Sequence, residues 1–492
     1  MIVVGLGKAC NNSSIAVSKN GKLFKYLKYE REKNIKQMPA PDWWYYKKLH
    51  DWNINLEDVD LFVSTDSGVW NDDYKIPLFP HEDTLYWVRK KDFHNSKEIL
   101  LDHHNAHAWS NSSFNEKKQF VVIDGEGSNK NYSTSWSNLE FHRKKGVGPG
   151  AIFIFLEEPM KLHDGGYGNV SGKIMGLMEY GKINKKLFNN MMDMDRNHFY
   201  KFIKNYYTYD NIMHPEWLDF LKTIDEVCFE WVKESFSHID KSKEVIYSGG
   251  CALNINWNRR LLDMGYKLNI EPPAYDGGLS IGCVRFGNAM MEKPTKFYED
   301  YPYIQEDELP KNMASVQTIN KVAKLLAKDK IVGWYQGKGE VGPRALGNRS
   351  ILMNPMIKDG KNILNKKVKH REPWRPYGAS VKKDKAKFYF DIDDSPYMLF
   401  SSKVLVPNMP AITHIDNTCR PQTVTPNQNP AFYKLLDSFE KETNVPILLN
   451  TSLNVAGKPM CNTIKDAKEL LRTTDLDYLC VGNKIYDKSS SF

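Results

Sequence analysis

A run of short strands near the start of the chain is followed, after a long insertion, by a second run of the same design. Val3–Gly7, Ser13–Val17 and Leu23–Tyr29 read as three strands, with Asn20-Gly21 as the tight hairpin turn between the last two. Phe120–Gly127, Tyr132–Trp136 and Leu139–Lys144 repeat that succession. This imperfect duplication limits the fold more than any single motif does, because two copies of one sheet design imply two halves flanking a cleft. Gly5–Gly7 and Asp124–Gly127 would then face one another, and hairpin turns in such a cleft offer backbone N–H groups to a nucleotide phosphate. Gly125 and Gly127 are the candidate contacts. At 492 residues the chain exceeds what one hydrophobic core serves. Prolines 294, 302 and 310 among acidic residues mark a linker, placed at 301–317, between a first domain at 1–300 and a second at 318–492. The second domain opens with a helix at Ile319–Lys328 and a strand at Ile331–Tyr335.

Within the first domain, Leu100–Trp109 carries His103, His104 and His107. On a helix His103 and His107 project from one face and can hold one metal ion, while His104 points elsewhere. Asp276, in the glycine turn Pro272–Gly278, is a natural third ligand, since a carboxylate commonly completes such a set. Ser171–Gly181 combines glycines with Lys173 as a ligand-contact segment. Residues 182–245 show helical periodicity, with Met and Phe as core. Glu244–Asn254 reads as strand, turn and helix start, with Gly249 and Gly250 letting a base or phosphate lie against backbone and Asn254 as a side-chain clamp.

The second domain contains Lys338–Ser350, a loop that combines Gly339, Gly342 and Gly347 with Arg344 and Arg349 and reads as an anion-handling segment. A further cationic cluster, Lys369, Arg371 and Arg375, is held extended by prolines and Trp374. Val445–Asn454 runs from a buried-type strand into Asn450, Thr451, Ser452 and Asn454, short donors and acceptors suited to an amide or phosphate.

Charge narrows the partners. A net charge of +8 permits attraction to a polyanion without requiring it. Lysines interleaved with aromatics at Tyr26–Arg31, Trp43–Lys48 and Phe199–Lys204 suit single-stranded or flipped-out nucleic acid, although such aromatics also serve as core. Seven cysteines without paired metal-type spacing, a polar turn by Lys8 and no long apolar stretch predict a reduced, cytoplasmic protein with no membrane partner.

Taken in order, His103–His107, Asp124–Gly127, Gly172–Leu177, Gly249-Gly250 with Asn254, Pro273–Gly278, Gln336–Ser350, Lys369–Pro376, His414–Gln422 and Asn450–Asn454 resemble the O-carbamoyltransferases of the nodulation and antibiotic-tailoring type, including those that carbamoylate tobramycin and cephamycin. The resemblance implies an α/β chain with two domains. The first would be a duplicated ribonuclease-H-like domain of the acetate kinase/heat-shock/actin superfamily, and the second an α/β domain similar to threonylcarbamoyl-adenylate synthase. It implies that ATP and carbamoyl phosphate give carbamoyl adenylate, whose carbamoyl group passes to a hydroxyl. By the same resemblance Arg344, Lys369, Arg375, Arg420, Ser452 and Asn454 hold carbamoyl phosphate and the adenylate. His103, His107, Asp124 and Asp276 fall on the positions of one divalent metal, with iron, zinc and manganese all compatible and Mg accompanying ATP.

Relatives tend to carry His-Asp where this chain has Cys10-Asn11, which leaves Cys10 as a weaker candidate base. The acceptor expected from charge and aromatic content is the 5-hydroxymethyl group of a modified pyrimidine in DNA, as in a phage-like DNA-modifying member acting in a host cytoplasm. A sugar, nucleoside or antibiotic hydroxyl is the alternative, and a homodimer is compatible with the sequence. A tRNA-threonylcarbamoyl-type activity fits less well with both half-reactions in one chain, and a non-catalytic nucleotide-binding regulator is the reading from another class.

Overall fold

The structure is a computed structural model that describes residues 1–9, 12–66, 88–89, 98–115, 117–125, 132–137, 141–145, 147–156, 170–206, 211–297 and 300–490. Two compact units divide the chain: Met1–Glu30 with Lys36–Glu299, and Arg31–Ile35 with Asp300–Phe492.

Strand-forming alternation and tight turns build the first sheet from β1 (Ile2–Lys8), β2 (Ser14–Lys19), β3 (Lys22–Lys28), β4 (Leu61–Asp66), β5 (Val88–Arg89) and β6 (Glu98–Leu100), in the order β3-β2-β1-β4-β6-β5. Asn20 and Gly21 take φ of 52° and 75°, the left-handed pair expected of the β2–β3 hairpin turn. The second sheet comprises β7 (Gln119–Ile123), β8 (Tyr132–Ser137), β9 (Phe141–Lys145), β10 (Glu244–Ser248) and β11 (Lys267–Asn269), ordered β11-β10-β7-β8-β9. The two sheets share one pattern. In each, the first strand pairs antiparallel with the second, the second antiparallel with the third, and the first also pairs parallel with a later strand that has a further parallel neighbour. The duplication read from the sequence is thus a structural repeat, and the unit has the duplicated ribonuclease-H-like design.

One core cluster joins the halves. Val3, Leu61 and Val63 of the first sheet meet Phe120, Val122 and Ile246 of the second around Ala106, Leu279, Cys283 and Phe286. Those four residues lie on or beside two helices, His103–Ser110 and Leu279–Met290. The helices cross closely because Gly282 has no side chain, and a Cβ there would fall 2.0 Å from the Ala106 carbonyl oxygen.

Aromatics of the basic segments are core in the described residues. Tyr26, Tyr29, Trp44, Tyr45 and Phe199 are buried, which withdraws them from any stacking surface, while Trp43 is exposed. Much of the insertion between the duplicated runs lies outside the described residues.

The second unit has eight strands: β12 (Val332–Tyr335), β13 (Arg349–Met353), β14 (Gly378–Lys382), β15 (Ser402–Lys403), β16 (Thr418–Val424), β17 (Ile447–Ser452), β18 (Tyr478–Val481) and β19 (Lys484–Tyr486). Their order is β15-β16-β14-β17-β13-β12-β18-β19, with β14–β16 and β12–β18 parallel. Helices Val316–Ala327 and Pro430–Thr443 bring Val322, Leu326, Leu435 and Phe439 onto Trp334, Leu352 and Leu448. Ser315 caps the first of these helices, its Oγ accepting from Thr318 N at 3.2 Å. Residues 301–317, expected as a linker, contribute structure of their own. Tyr303 and Ile304 are buried, Gln305 bridges Gly339, and the Asp307 carboxylate is fully enclosed. No helix among the described residues is long and apolar enough to cross a membrane.

The close helix crossing gives a stability test. Gly282→Ala should lower unfolding free energy by about 2 kcal/mol, the usual cost of overpacking a rigid contact. Gly172→Ala, where an added Cβ meets nothing within 4 Å, should be neutral or mildly stabilising. Equal urea midpoints for the two variants would contradict the crossing.

Candidate functional site

Asp102 starts the histidine helix, its carboxylate accepting from Asn105 N at 3.1 Å, and the helical turn then places His103 and His107 on one face. Their Nε2 atoms lie 3.2 Å apart. Asp124 follows β7 at its carboxyl end, and its Oδ2 lies 2.9 and 3.0 Å from those two nitrogens. Asp276 opens the short turn before helix Leu279–Met290 and brings Oδ1 to 3.5 and 3.4 Å. The ligand atoms of all four side chains fall within 4.8 Å of one another. Burial alone would push the His103 imidazole toward neutrality, but its bonds to Asp124 and Asp276 hold its pKa well above the ordinary value. The same contest raises His107, and against burial the two imidazoles hold Asp124 well below the carboxylate range. Positive charge is therefore favoured where the four groups meet. Two imidazole nitrogens aimed at one point together with two carboxylates form a donor set that fits a divalent cation.

His104 does face elsewhere, with Nδ1 2.8 Å from Ser135 Oγ, and burial lowers its pKa to about 3. Ser248 and Ser110 donate to the His107 carbonyl oxygen at 2.9 and 2.7 Å.

The diglycine acts on this cluster. Gly249 takes φ 89°, a left-handed conformation that glycine adopts without strain, and Gly250 N donates to Asp124 Oδ1 at 3.1 Å, leaving Oδ2 for the histidines. Asn254 is an N-cap whose Oδ1 accepts from Asn256 N and Trp257 N at 3.1 and 3.2 Å. Lys173 is buried within helix Ser171–Met178, and Gly125 follows Asp124 in a half-buried bend. Cys10 and Gly127 lie outside the described residues.

Sequence reading missed the supports of the Asp276 turn. Tyr26 Oη donates to the Gly277 carbonyl at 2.6 Å, and Lys28 Nζ reaches Tyr275 Oη at 2.7 Å. Arg285 was missed as well. Its buried guanidinium donates to the carbonyls of Trp109, Asn111, Ser112 and Phe114 at the end of the histidine helix. Arg285 lies about two helical turns beyond the Pro272–Gly278 turn, and no motif in the sequence marks it.

In the second unit, Lys369 ends a π-helical turn and gathers two other predicted residues, Ser452 and Asn454. Its Nζ donates to Ser452 O at 2.8 Å, Asn454 O at 2.7 Å and Asn454 Oδ1 at 2.6 Å. Arg420 sits opposite Gly378, which also pairs with Asn450, so β16, β14 and β17 present these residues side by side. Burial lowers the Arg420 pKa well below its ordinary value, and the charges of Arg344 and Arg375 lower it further, as three neighbouring cations require. Arg375 also pairs with Glu372 at 3.5 Å.

Arg349, read as a ligand-binding arginine, is a structural one. It is wholly enclosed, bonds Asp307 Oδ2 at 2.5 Å and Gln336 O at 2.6 Å, and stacks on the Tyr335 ring. Glu340 shapes the loop, Oε1 accepting from the backbone N–H groups of Leu346, Asn348 and Arg349 at 2.8, 2.9 and 3.2 Å. Gln422 and Asn450 tie down the Leu346 and Ala345 carbonyls at 2.8 and 3.2 Å.

The repeated sheets beside an imidazole–carboxylate cluster give the first unit a duplicated ribonuclease-H-like design, and the second unit is a mixed sheet in which Arg349 is buried. Comparison with known proteins makes the assignment specific. Residues 323–488 match the family model "Carbamoyltransferase C-terminus". The chain is 30% identical over 477 residues to the uncharacterized protein sll1178 of Synechocystis sp., covering 80% of this chain and 76% of that protein. It is 30% identical over 458 residues to nodulation protein NolNO of Sinorhizobium fredii, spanning 80% of this chain and 65% of the relative. It is also 27% identical over 374 residues to a 3'-hydroxymethylcephem-O-carbamoyltransferase of Streptomyces clavuligerus, covering 69% and 70% of the two chains. The chain belongs to the O-carbamoyltransferase family, a family of transferase enzymes.

The role found for Arg349 is testable. Arg349→Met should destabilise the protein by about 3–5 kcal/mol by leaving Asp307 charged and buried, and adding Asp307→Leu should recover much of the loss. Thermal unfolding of the single and double variants checks this, and a fully stable single variant that has lost only substrate binding would contradict it.

Proposed function

We propose that the chain activates a carbamoyl group from carbamoyl phosphate with ATP, as carbamoyl adenylate, and transfers it to an acceptor hydroxyl. The observation that carries this reading is the gathering of Lys369, Ser452 and Asn454, with Arg420 beside Arg344 and Arg375, inside the stretch that matches the carbamoyltransferase family model. Carbamate alone is a poor acyl donor, so it needs a leaving group. Water releases phosphate from carbamoyl phosphate to give carbamate, a carbamate oxygen attacks the α-phosphorus of ATP, and pyrophosphate departs. Arg344, Arg375 and Arg420 offset the phosphate charge during these steps, and Lys369 is held by the Ser452 and Asn454 oxygens in position to orient the carbamoyl group. The acceptor oxygen then forms a bond to the carbamoyl carbon, AMP leaves, and the hydroxyl proton passes to a base.

His103, His107, Asp124 and Asp276 would hold one divalent metal, with iron, zinc and manganese suiting this donor set and Mg accompanying ATP. Such a metal supplies Lewis acidity toward phosphate or carbonyl oxygen. Gly250 keeps Asp124 oriented for that role. Gly125 and the Gly249–Gly250 backbone border the cluster, and nucleotide contact there is part of the proposal.

The acceptor is read as a hydroxymethyl group, in line with the name of the cephem relative. A net charge of +8 supports a polyanionic carrier, DNA bearing a 5-hydroxymethylpyrimidine. Burial of Tyr26, Tyr29, Trp44 and Tyr45 removes stacking support from that version, which leaves charge as its support and a small-molecule hydroxyl as the competing acceptor.

Arg344→Ala should cut carbamoyl phosphate-dependent pyrophosphate release by at least about 100-fold, whereas His107→Ala should spare that step and abolish transfer. Normal pyrophosphate release by Arg344→Ala would overturn the site assignment. Offered hydroxymethylated DNA and hydroxymethyl small molecules with labelled carbamoyl phosphate, the enzyme should label DNA; label confined to small molecules would overturn the DNA acceptor.

A further inference from the structure

Arg31 stands out among the charged residues that the proposed reaction leaves unused. It is 1% exposed, and the segment Arg31–Ile35 groups with the second unit although its neighbours in sequence belong to the first. A buried guanidinium is costly unless its N–H groups are met. Here Nη1 donates to Met460 O at 3.2 Å, while Nε and Nη2 are buried and have no hydrogen-bond partner. The unmet pair is the edge of the guanidinium that grips two oxygens of a carboxylate or phosphate at once. No ion pair of Arg31 occurs among the described residues; the nearby Asp307 carboxylate is bonded to Arg349 instead.

The surroundings point to the same anion site. Met460 and Cys461 lie just beyond the residues that hold Lys369. Cys461 N donates to Leu453 O at 3.0 Å, and Asn454 Nδ2 donates to Lys458 O. Lys458 in turn reaches Asn34 O at 3.4 Å, so the 31–35 segment is fastened to this loop at two points. Burial pushes the Cys461 thiol up to about 12 and Asp466 adds to this, against the pull of Arg349, Arg31 and Lys369.

We propose that Arg31 is a further substrate-binding residue, its Nε/Nη2 edge clamping two oxygens of an oxyanion bound beside Lys369 and Asn454. The proposal rests on the carbamoyl phosphate and ATP reading of that site. The shared chemistry is a phosphate, and its source is either carbamoyl phosphate or the ATP chain.

Arg31→Gln and Arg31→Lys test it in the full-length protein. Arg31→Lys keeps the charge but loses the fork, and covers the case in which Arg31→Gln fails to fold. Equilibrium dialysis with labelled carbamoyl phosphate and, separately, with ATP should show at least tenfold weaker binding of one of them in Arg31→Lys, which identifies the source of the phosphate. Inorganic phosphate should raise the melting temperature of the wild type and have little effect on the variant. Binding of both substrates within twofold of wild type, together with an unchanged phosphate response, would overturn the proposal even if the variant melts lower. If the wild type binds neither substrate yet shows Arg31-dependent stabilisation by phosphate, the carbamoyl phosphate reading falls while the Arg31 site stands.

Discussion

Helix Leu279–Met290 fixes the candidate centre of the first unit through a single rigid body. Its amino end continues directly from Asp276. Its middle lies against the histidine helix, close enough that Gly282 meets the Ala106 carbonyl. Farther along, Arg285 satisfies carbonyls that the histidine helix leaves open at its end, a cap made by a neighbouring helix in place of the helix's own residues. A shift of this helix would therefore move a carboxylate and two imidazoles relative to each other. The buried core of both sheets resists such a shift, because close-packed interiors deform little.

The second unit solves a different electrostatic problem. Several arginines sit close together. Asp307 and the Tyr335 ring take up Arg349, while Glu340 spends one carboxylate oxygen on three backbone N–H groups of the loop. These contacts hold the loop shape without drawing on Arg344. Arg344, Arg375 and Arg420 repel one another in this region even with Glu372 paired to Arg375, an arrangement that a bound anion would relieve.

Much of this was legible in the sequence. The strand succession at Val3–Tyr29 and its repeat at Phe120–Lys144 identified the duplicated sheets because hairpin turns and alternation are local signals. The spacing of His103 and His107 was legible because helical geometry is local as well. Convergence of Asp124 and Asp276 on them depends on contacts between distant segments, and the resemblance to a family, not spacing, indicated Asp124. Arg349 was misread because its partner Asp307 lies in a proline-containing stretch expected to be a linker. Nothing local reveals that such a stretch folds back onto a sheet. Arg285, Lys28 and Tyr26 act through tertiary hydrogen bonds that no motif encodes. The aromatics near Trp44 were ambiguous from the start, since burial and base stacking favour the same residue types.

In the proposed reaction ATP is cleaved at its α-phosphorus to activate the carbamoyl group. Exchange of labelled pyrophosphate into ATP tests it most directly. Exchange should require carbamoyl phosphate, and AMP should be the nucleotide product when an acceptor is supplied. Formation of ADP and phosphate, with no pyrophosphate exchange, would contradict it.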